Sequence, residues 1–472
     1  MKELPIHIQL HPENNKTLYV QIYEYVRDEI RAGNLLQNEK LPSARFLAEY
    51  LQVSRTTVDM AYDQLVSEGY LEARPRRGYF VSAYEKLNVI DKIPRREIPE
   101  PSGNTVQESA SYDFSPNAID MRHFPYATWK KITKNILVDA NSKMFSLGEP
   151  QGDLSLRTTI CRYLHGSRGV NCEPEQIIIG AGNDYLLLLL EKILGRHVHV
   201  AMENPTYVRA YKIFRSCAYP VSLVPMDENG IKVDCLRRTD ARVAYVMPSH
   251  QYPTGISMPI GRRMELLKWA AEEKERYLIE DDYDSEFRYR GKPLPSLQAS
   301  DHNGKVVYIG TFSKSIAPAI RISYMVLPYS LLEQYRIRCS FYSSTVSRLD
   351  QTILNEFIQD GYFERYLNKM RKQYRDKHDL ILNELKPFEK VFHISGSNAG
   401  QHVLLTDLKG RQEEELAHMA KSVNVKVYKM QDFRIEKNND APAMLILGYG
   451  ALSCEEIKEG VALLKKAWVE GR

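Results

Sequence analysis

The chain has 472 residues, of which 43% are hydrophobic and 26% charged, with a net charge of +4. That length exceeds one ordinary domain, and the composition is that of a soluble protein with a sizeable core. So small a net charge excludes any nucleic-acid role argued from bulk electrostatics; such a role has to rest on local pattern.

The opening stretch, MKELPIHIQLHPENNK, has neither the apolar core nor the small-residue cleavage site of a signal peptide. The longest apolar run, YLLLLLEKIL, is too short and too interrupted by charge to span a bilayer. Six scattered cysteines, Cys161, Cys172, Cys217, Cys235, Cys339 and Cys454, form no CxxC pair. The expectation is a cytoplasmic protein with reduced thiols. The histidines lack HExxH-like spacing, so no metal site is expected.

Leu18, Ile22, Val26 and Ile30 recur at four-residue intervals and predict an amphipathic helix. Ser43 is a suitable N-cap for a second, short helix with Leu47, Ala48 and Leu51 on one face. After the turn QVS, Ser54 caps a third helix with Val58, Ala61 and Leu65 inward, and Gly69 ends it. Helix, turn and capped helix make a helix-turn-helix, whose recognition helix presents its first turn, here Arg55, Thr56 and Thr57, to DNA. Two short alternating runs then flank RPRRG, a hairpin tip. Its Arg74, Arg76 and Arg77, with no acid in the tip, suit phosphates or a minor groove.

Residues 17–81 closely resemble the winged helix-turn-helix of the GntR family. The resemblance puts Arg45, Ser54, Arg55, Thr56, Thr57 and the wing around Gly78 at DNA-contacting positions; the usual G-x-G of the wing is RRG here. Residues 82–111, rich in Pro, Ser and charge, read as a linker between a module at 1–81 and a second one at 112–472.

From Tyr112 onward, apolar runs alternate with amphipathic helices, the α/β signature. Five runs end in polar loops: QIIIGAGND, HVHVAMENPTY, RVAYVMPSHQYPTG, RYLIEDDYDSEF and KVVYIGTFSKS. Ligands of doubly wound sheets bind beyond the carboxyl ends of the strands, so five such loops argue for one site. Its residues suit pyridoxal 5'-phosphate. Lys314 offers an amine for a Schiff base with the aldehyde. Asp281 offers an anion for the ring nitrogen, and Tyr283 faces the same side two residues on. GAGN, with Gly182 and Asn183 at a helix start, offers N–H groups to a phosphate, and Thr311, Ser313 and Arg321 add donors.

This whole region resembles the fold-type I aminotransferases, with the motifs GAGNDYLLLL, HQYPTG, EDDYDSEF and GTFSKSIAPAIRISY. The resemblance implies an α/β fold with large and small subdomains. It makes Lys314 the Schiff-base lysine, Asp281 the partner of the pyridine nitrogen and Tyr283 the donor to the ring phenolate. Gly182, Asn183, Thr311 and Arg321 fall on phosphate positions, and Tyr207 falls where a ring stacks on the cofactor. The fusion of the two parts is similar to the MocR/GabR regulators. Those imply a head-to-tail homodimer, a double-stranded operator with paired half-sites and a small amine or amino-acid effector.

The chain departs from catalytic relatives at three places. Tyr252 replaces the asparagine of the N-P-T-G turn, and Ile446 stands where an arginine grips the substrate carboxylate. Leu147 stands where many relatives place a tyrosine that reaches the other subunit's cofactor. The departures touch substrate handling and imply at most vestigial transaminase activity. Arg209, which resembles an effector-binding position, and Arg434 are candidates for an effector carboxylate. Three functions stand open: a regulator sensing an amine by exchange at Lys314, a working aminotransferase with an accessory DNA-binding domain, and a regulator of vitamin B6 synthesis that senses pyridoxal phosphate itself.

Overall fold

The computed structural model describes residues 8, 10, 16–83, 110–137, 142–288, 294–396, 400–437 and 441–470. The chain divides into two compact units, Met1–Gln107 and Glu108–Arg472. Most of the predicted linker lies outside the described residues.

The first unit holds three helices, α1 (Leu18–Ala32), α2 (Ala44–Leu51) and α3 (Arg55–Ser67), followed by the antiparallel strands β1 (Leu71–Arg74) and β2 (Gly78–Val81). The periodic residues make its core, with Ile22, Val26, Leu47, Val58, Ala61 and Leu65 all buried. The Ser43 and Ser54 hydroxyls accept from Phe46 N and Thr57 N and so satisfy helix-end donors. Gly69, at φ +80°, lets the chain leave α3: its N–H bonds Val66 O while Tyr70 N bonds Leu65 O. Tyr62, absent from the expected apolar face, is also fully buried, with its hydroxyl donating to Pro42 O at 3.1 Å. That bond is what lets a phenol sit in the core.

The second unit is built on one large sheet. Its strands are β3 (Ile177–Gly180), β4 (Val200–Asn204), β5 (Val221–Asp227), β6 (Gly230–Ile231), β7 (Val243–Val246), β8 (Tyr277–Asp282), β9 (Val306–Thr311) and β10 (Ser323–Val326). The spatial order is β3-β10-β9-β8-β7-β4-β5-β6. Neighbours from β9 across to β5 are parallel, while β10 is antiparallel to both β9 and β3. Continuous apolar runs such as Ile177–Gly180 and Val243–Val246 are buried along their length, as strands covered on both faces must be. Helix α4 (Asn183–Leu194) follows β3, and α5 (Val208–Ser216) follows β4. A smaller antiparallel sheet, β11 (Phe392–Ser395), β12 (His402–Asp407), β13 (Tyr428–Lys429) and β14 (Met444–Gly448), is ordered β11-β12-β14-β13. It forms its own core with the helix Cys454–Trp468 and the end of the helix Tyr362–Leu385.

Near the middle of the large sheet, β8 carries three consecutive acids, Glu280, Asp281 and Asp282, all buried. Alternation separates them. Glu280 accepts the backbone N–H groups of Leu297 (2.7 Å) and Gln298 (2.9 Å). Asp282 pairs with the buried Arg168 at 2.8 Å and takes the hydroxyls of Tyr308 and Ser285. Although burial opposes its charge, Arg168 holds the Asp282 carboxyl below its ordinary pKa.

Arg168→Met should leave Asp282 as a buried carboxylate without its cation, at a cost of roughly 3–5 kcal/mol. Denaturant unfolding of the large unit, followed by near-ultraviolet circular dichroism, checks this.

Candidate functional site

The carboxyl ends of β3, β4, β7, β8 and β9 surround a cleft of about 170 Å³. Ten of the predicted residues line it: Asn183, Tyr207, Arg209, Tyr252, Asp281, Tyr283, Thr311, Ser313, Lys314 and Arg321.

Lys314 follows β9, and its Nζ donates to Pro116 O at 3.0 Å. Burial pushes its amine down to about 8, with Asp284 pulling the other way. Asp281 is the penultimate residue of β8 and accepts from the Tyr245 hydroxyl and from Asn183 Nδ2 at 3.3 Å. Burial pushes its carboxyl up to about 7, and the Tyr245 bond only partly offsets this. These hydrogen-bond donors are neutral, in contrast to the guanidinium on Asp282. The Tyr283 hydroxyl lies 2.9 Å from His250 Nδ1.

At the other end of the cleft, Gly182 has φ +91° and caps α4. A Cβ there would collide with the Arg321 guanidinium, so the chain comes close only as glycine. The first N–H groups of α4 and the positive end of its dipole meet Arg321 here. Thr311 Oγ1 accepts from Ser313 N at 3.1 Å and from the Ser323 hydroxyl at 2.8 Å. Asn183 Oδ1 and Ser313 Oγ are buried without a hydrogen-bond partner among the described residues.

Tyr207 meets Tyr252 edge-on at 6.1 Å, and the Tyr252 hydroxyl accepts from Asn117 Nδ2 at 3.0 Å. Arg209 and Arg321 both reach Asp184 Oδ2 at 3.4 Å. Arg434 does not line the cleft; its neighbour Phe433 packs on Tyr252 at 5.3 Å. Ile446 is fully buried with Leu404 and Met430, and Leu147 is 88% exposed. Asn117, Asp184, Tyr245 and His250 are additions that the sequence reading missed. Asp184 stands beside Asn183 in GAGND, and Tyr245 and His250 lie within RVAYVMPSHQYPTG, so their motifs were legible though their contacts were not; Asn117 reaches the site from a separate segment.

The sequence shows no metal-ligand spacing, yet among the described residues one group of thiols and an imidazole comes together in the fold. The Cys161, His165 and Cys172 ligand atoms lie within 4.8 Å of one another, away from the cleft. Cys161 and His165 are four apart on a helix, and the chain turns back at Gly169 to bring Cys172 beside them. The Cys172 carbonyl takes the Cys161 thiol proton at 3.1 Å and lies 2.8 Å from His165 Nε2; burial raises both thiols.

In the first unit, Arg45 and Arg55 are largely exposed, each 3.3 Å from an acid one helical turn on, Glu49 and Asp59. Thr56 is exposed; Ser54 Oγ and Thr57 Oγ1 share a bond of 2.7 Å. Arg76, at φ +60°, and Arg77 are exposed on the hairpin tip. Arg74 differs from both. It bonds Glu72 at 3.0 Å and Asn38 at 2.8 Å, and its guanidinium lies 4.5 Å from the Phe80 ring centroid. The tip itself holds no acid, but Glu72 on the adjoining strand supplies one.

Residues 18–81 match the bacterial regulatory proteins of the gntR family, and residues 113–457 match aminotransferase class I and II. The HTH-type transcriptional regulator YdeL of Bacillus subtilis is 39% identical over 96% of each chain. The probable rhizopine catabolism regulatory protein MocR of Rhizobium meliloti is 30% identical over 96% of this chain and 94% of its own. The chain belongs to the MocR-type regulators. The pyridoxine biosynthesis regulator PdxR of Corynebacterium glutamicum is 31% identical to this regulator over 86% of each chain. Among solved structures, the kynurenine aminotransferase of Pyrococcus horikoshii matches 77% of the regulator and 91% of its own chain, with a TM-score of 0.68 and 25% identity.

Pyridoxal 5'-phosphate is the cofactor of the aminotransferase fold, and the cleft of the regulator fits it. Asp281, buried beside neutral donors, meets the demand of a protonated ring nitrogen. The unpartnered Asn183 Oδ1 and Ser313 Oγ are polar atoms in want of a ligand. The α4 N-terminus with Arg321 suits the phosphate, Tyr207 the ring face, and Lys314 the aldehyde.

Two measurements follow from these geometries. In cofactor-free protein, burial should make the Lys314 amine titrate at about pH 8, the neutral form prevailing above that, against about 10.4 for exposed lysines. Competitive acetylation read by mass spectrometry across pH checks it. On DNA, Arg77→Ala should reduce the salt slope of binding by about one. Arg74→Ala should change it less, since that guanidinium is already held inside the wing.

Proposed function

We propose that the protein is a transcriptional regulator that holds pyridoxal phosphate as a detector for a small amine or amino acid. The observation that carries this reading is Asp281, a buried carboxylate without a cation, in the same cleft as the amine of Lys314. When bound, the cofactor supplies an aldehyde that condenses reversibly with amines. The residues of the chain hold it and keep it protonated. Asp281 stabilises charge on the ring nitrogen, Tyr283 donates towards the ring oxygen, and Thr311, Ser313, Asn183, Arg321 and the α4 N-terminus grip the phosphate. Lys314, its amine about half neutral near pH 8, would compete with an incoming amine for the aldehyde.

Arg209, with Asp184 as its nearest acid, is the candidate for an effector carboxylate, and Arg434 follows Phe433, which packs on Tyr252. Ile446 offers no charge there, since an apolar side chain cannot hold a carboxylate. That supports detection over turnover. The first unit supplies the output: Arg45, Ser54, Arg55, Thr56, Thr57, Arg76 and Arg77 face an operator with paired half-sites, bound by a head-to-tail homodimer. Effector binding biases the arrangement of the DNA modules by its differential affinity for the two states. A second reading, favoured by the likeness to PdxR, makes pyridoxal phosphate itself the signal.

Lys314→Ala should retain operator binding but lose both the visible absorbance of the loaded protein and its response to amines. An amine response that survives in this variant overturns the proposal. So does sustained transamination by the natural protein on the order of 1 per second. Titrating operator binding with cofactor alone separates the second reading.

A further inference from the structure

His250 is buried and does not line the cleft, but it touches a residue that does. Its Nδ1 lies 2.9 Å from the Tyr283 hydroxyl and 2.8 Å from Asp284 Oδ2. An Asp284 carboxylate only accepts, so the proton of this contact sits on His250 Nδ1. Nε2 is buried with no partner among the described residues. Nδ1 carries that hydrogen whether or not Nε2 also does, so Nδ1 cannot accept from Tyr283. The Tyr283 oxygen is left as the second acceptor of that N–H, and its own hydrogen has two directions open to it, the Asp284 carboxylate, which helps to hold the phenol's pKa up, and the cleft.

The ring has little freedom to turn. A Cβ at Gly400 would collide with it, and the His402 ring packs 5.3 Å away. Burial holds His402 neutral, with its pKa lowered to about 3, and its Nε2 is engaged by Pro253 O at 2.9 Å. His402 is thus no source of the proton.

We propose that His250, oriented by Asp284, is a positioning residue for Tyr283: it occupies the inner side of the hydroxyl, so that the Tyr283 proton is presented to the group bound in the cleft. This rests on the reading that the cleft holds pyridoxal phosphate.

The test uses the full chain loaded with pyridoxal phosphate. An asparagine amide nitrogen can stand near the position of Nδ1, whereas glutamine places its nitrogen near Nε2. His250→Asn should therefore keep the visible band in place and the cofactor affinity within about twofold. His250→Gln should move the band and weaken affinity about tenfold, the size of one hydrogen bond. In a Tyr283→Phe background the difference between the two should vanish. The proposal is overturned if His250→Gln matches the natural protein, if both variants are impaired equally, or if their difference persists without the Tyr283 hydroxyl. A natural protein that takes up no cofactor overturns the underlying reading instead.

Discussion

Three carboxylates side by side in a buried strand are the constraint on which the rest of the structure turns. Glu280, Asp281 and Asp282 sit near the centre of the large sheet, where an unsatisfied charge costs several kcal/mol. Each is met differently. Two backbone N–H groups meet Glu280, and a buried arginine with two hydroxyls meets Asp282. On the opposite face of the strand, Asp281 has a tyrosine and an asparagine as donors. The two outer acids bind distant segments to the sheet. Glu280 and Asp281 both have neutral donors and a carboxyl pushed up to about 7, but of the three only Asp281 lines the cleft, where a cation would stabilise it.

The cleft follows from the order of the parallel strands. Because β3, β4, β7, β8 and β9 run the same way, their polar loops collect at one edge. There the buried amine of Lys314, the α4 N-terminus and two arginines meet. Asp184 is shared between Arg209 and Arg321, so a candidate effector position and a phosphate position draw on one carboxylate.

Much of this was legible in the sequence. Period-four residues marked α1 and α3, serine caps marked where α2 and α3 begin, and strands ending in polar loops pointed to one site holding Lys314, Asp281 and Tyr283. These features obey local rules: helix and strand periods, capping chemistry and the direction of parallel strands. What escaped was non-local. Pro116 meets Lys314 across 198 residues, Asn117 meets Tyr252 across 135, and Asn183 meets Asp281 across 98. Arg74 read as a phosphate contact like its neighbours, but Asn38, 36 residues earlier, helps to hold it inside the wing. Arg434 remained beside the cleft and not in its wall.

By itself, the sequence determined the two architectures and the kind of chemistry in each, because those depend on residue type and short-range spacing. Only the tertiary structure decided the protonation and the partners: an amine pushed down to about 8, an aspartate pushed up to about 7, and a tyrosine backed by a histidine. Those properties depend on burial and on which distant groups are packed alongside, and neither is written in any single stretch of the chain.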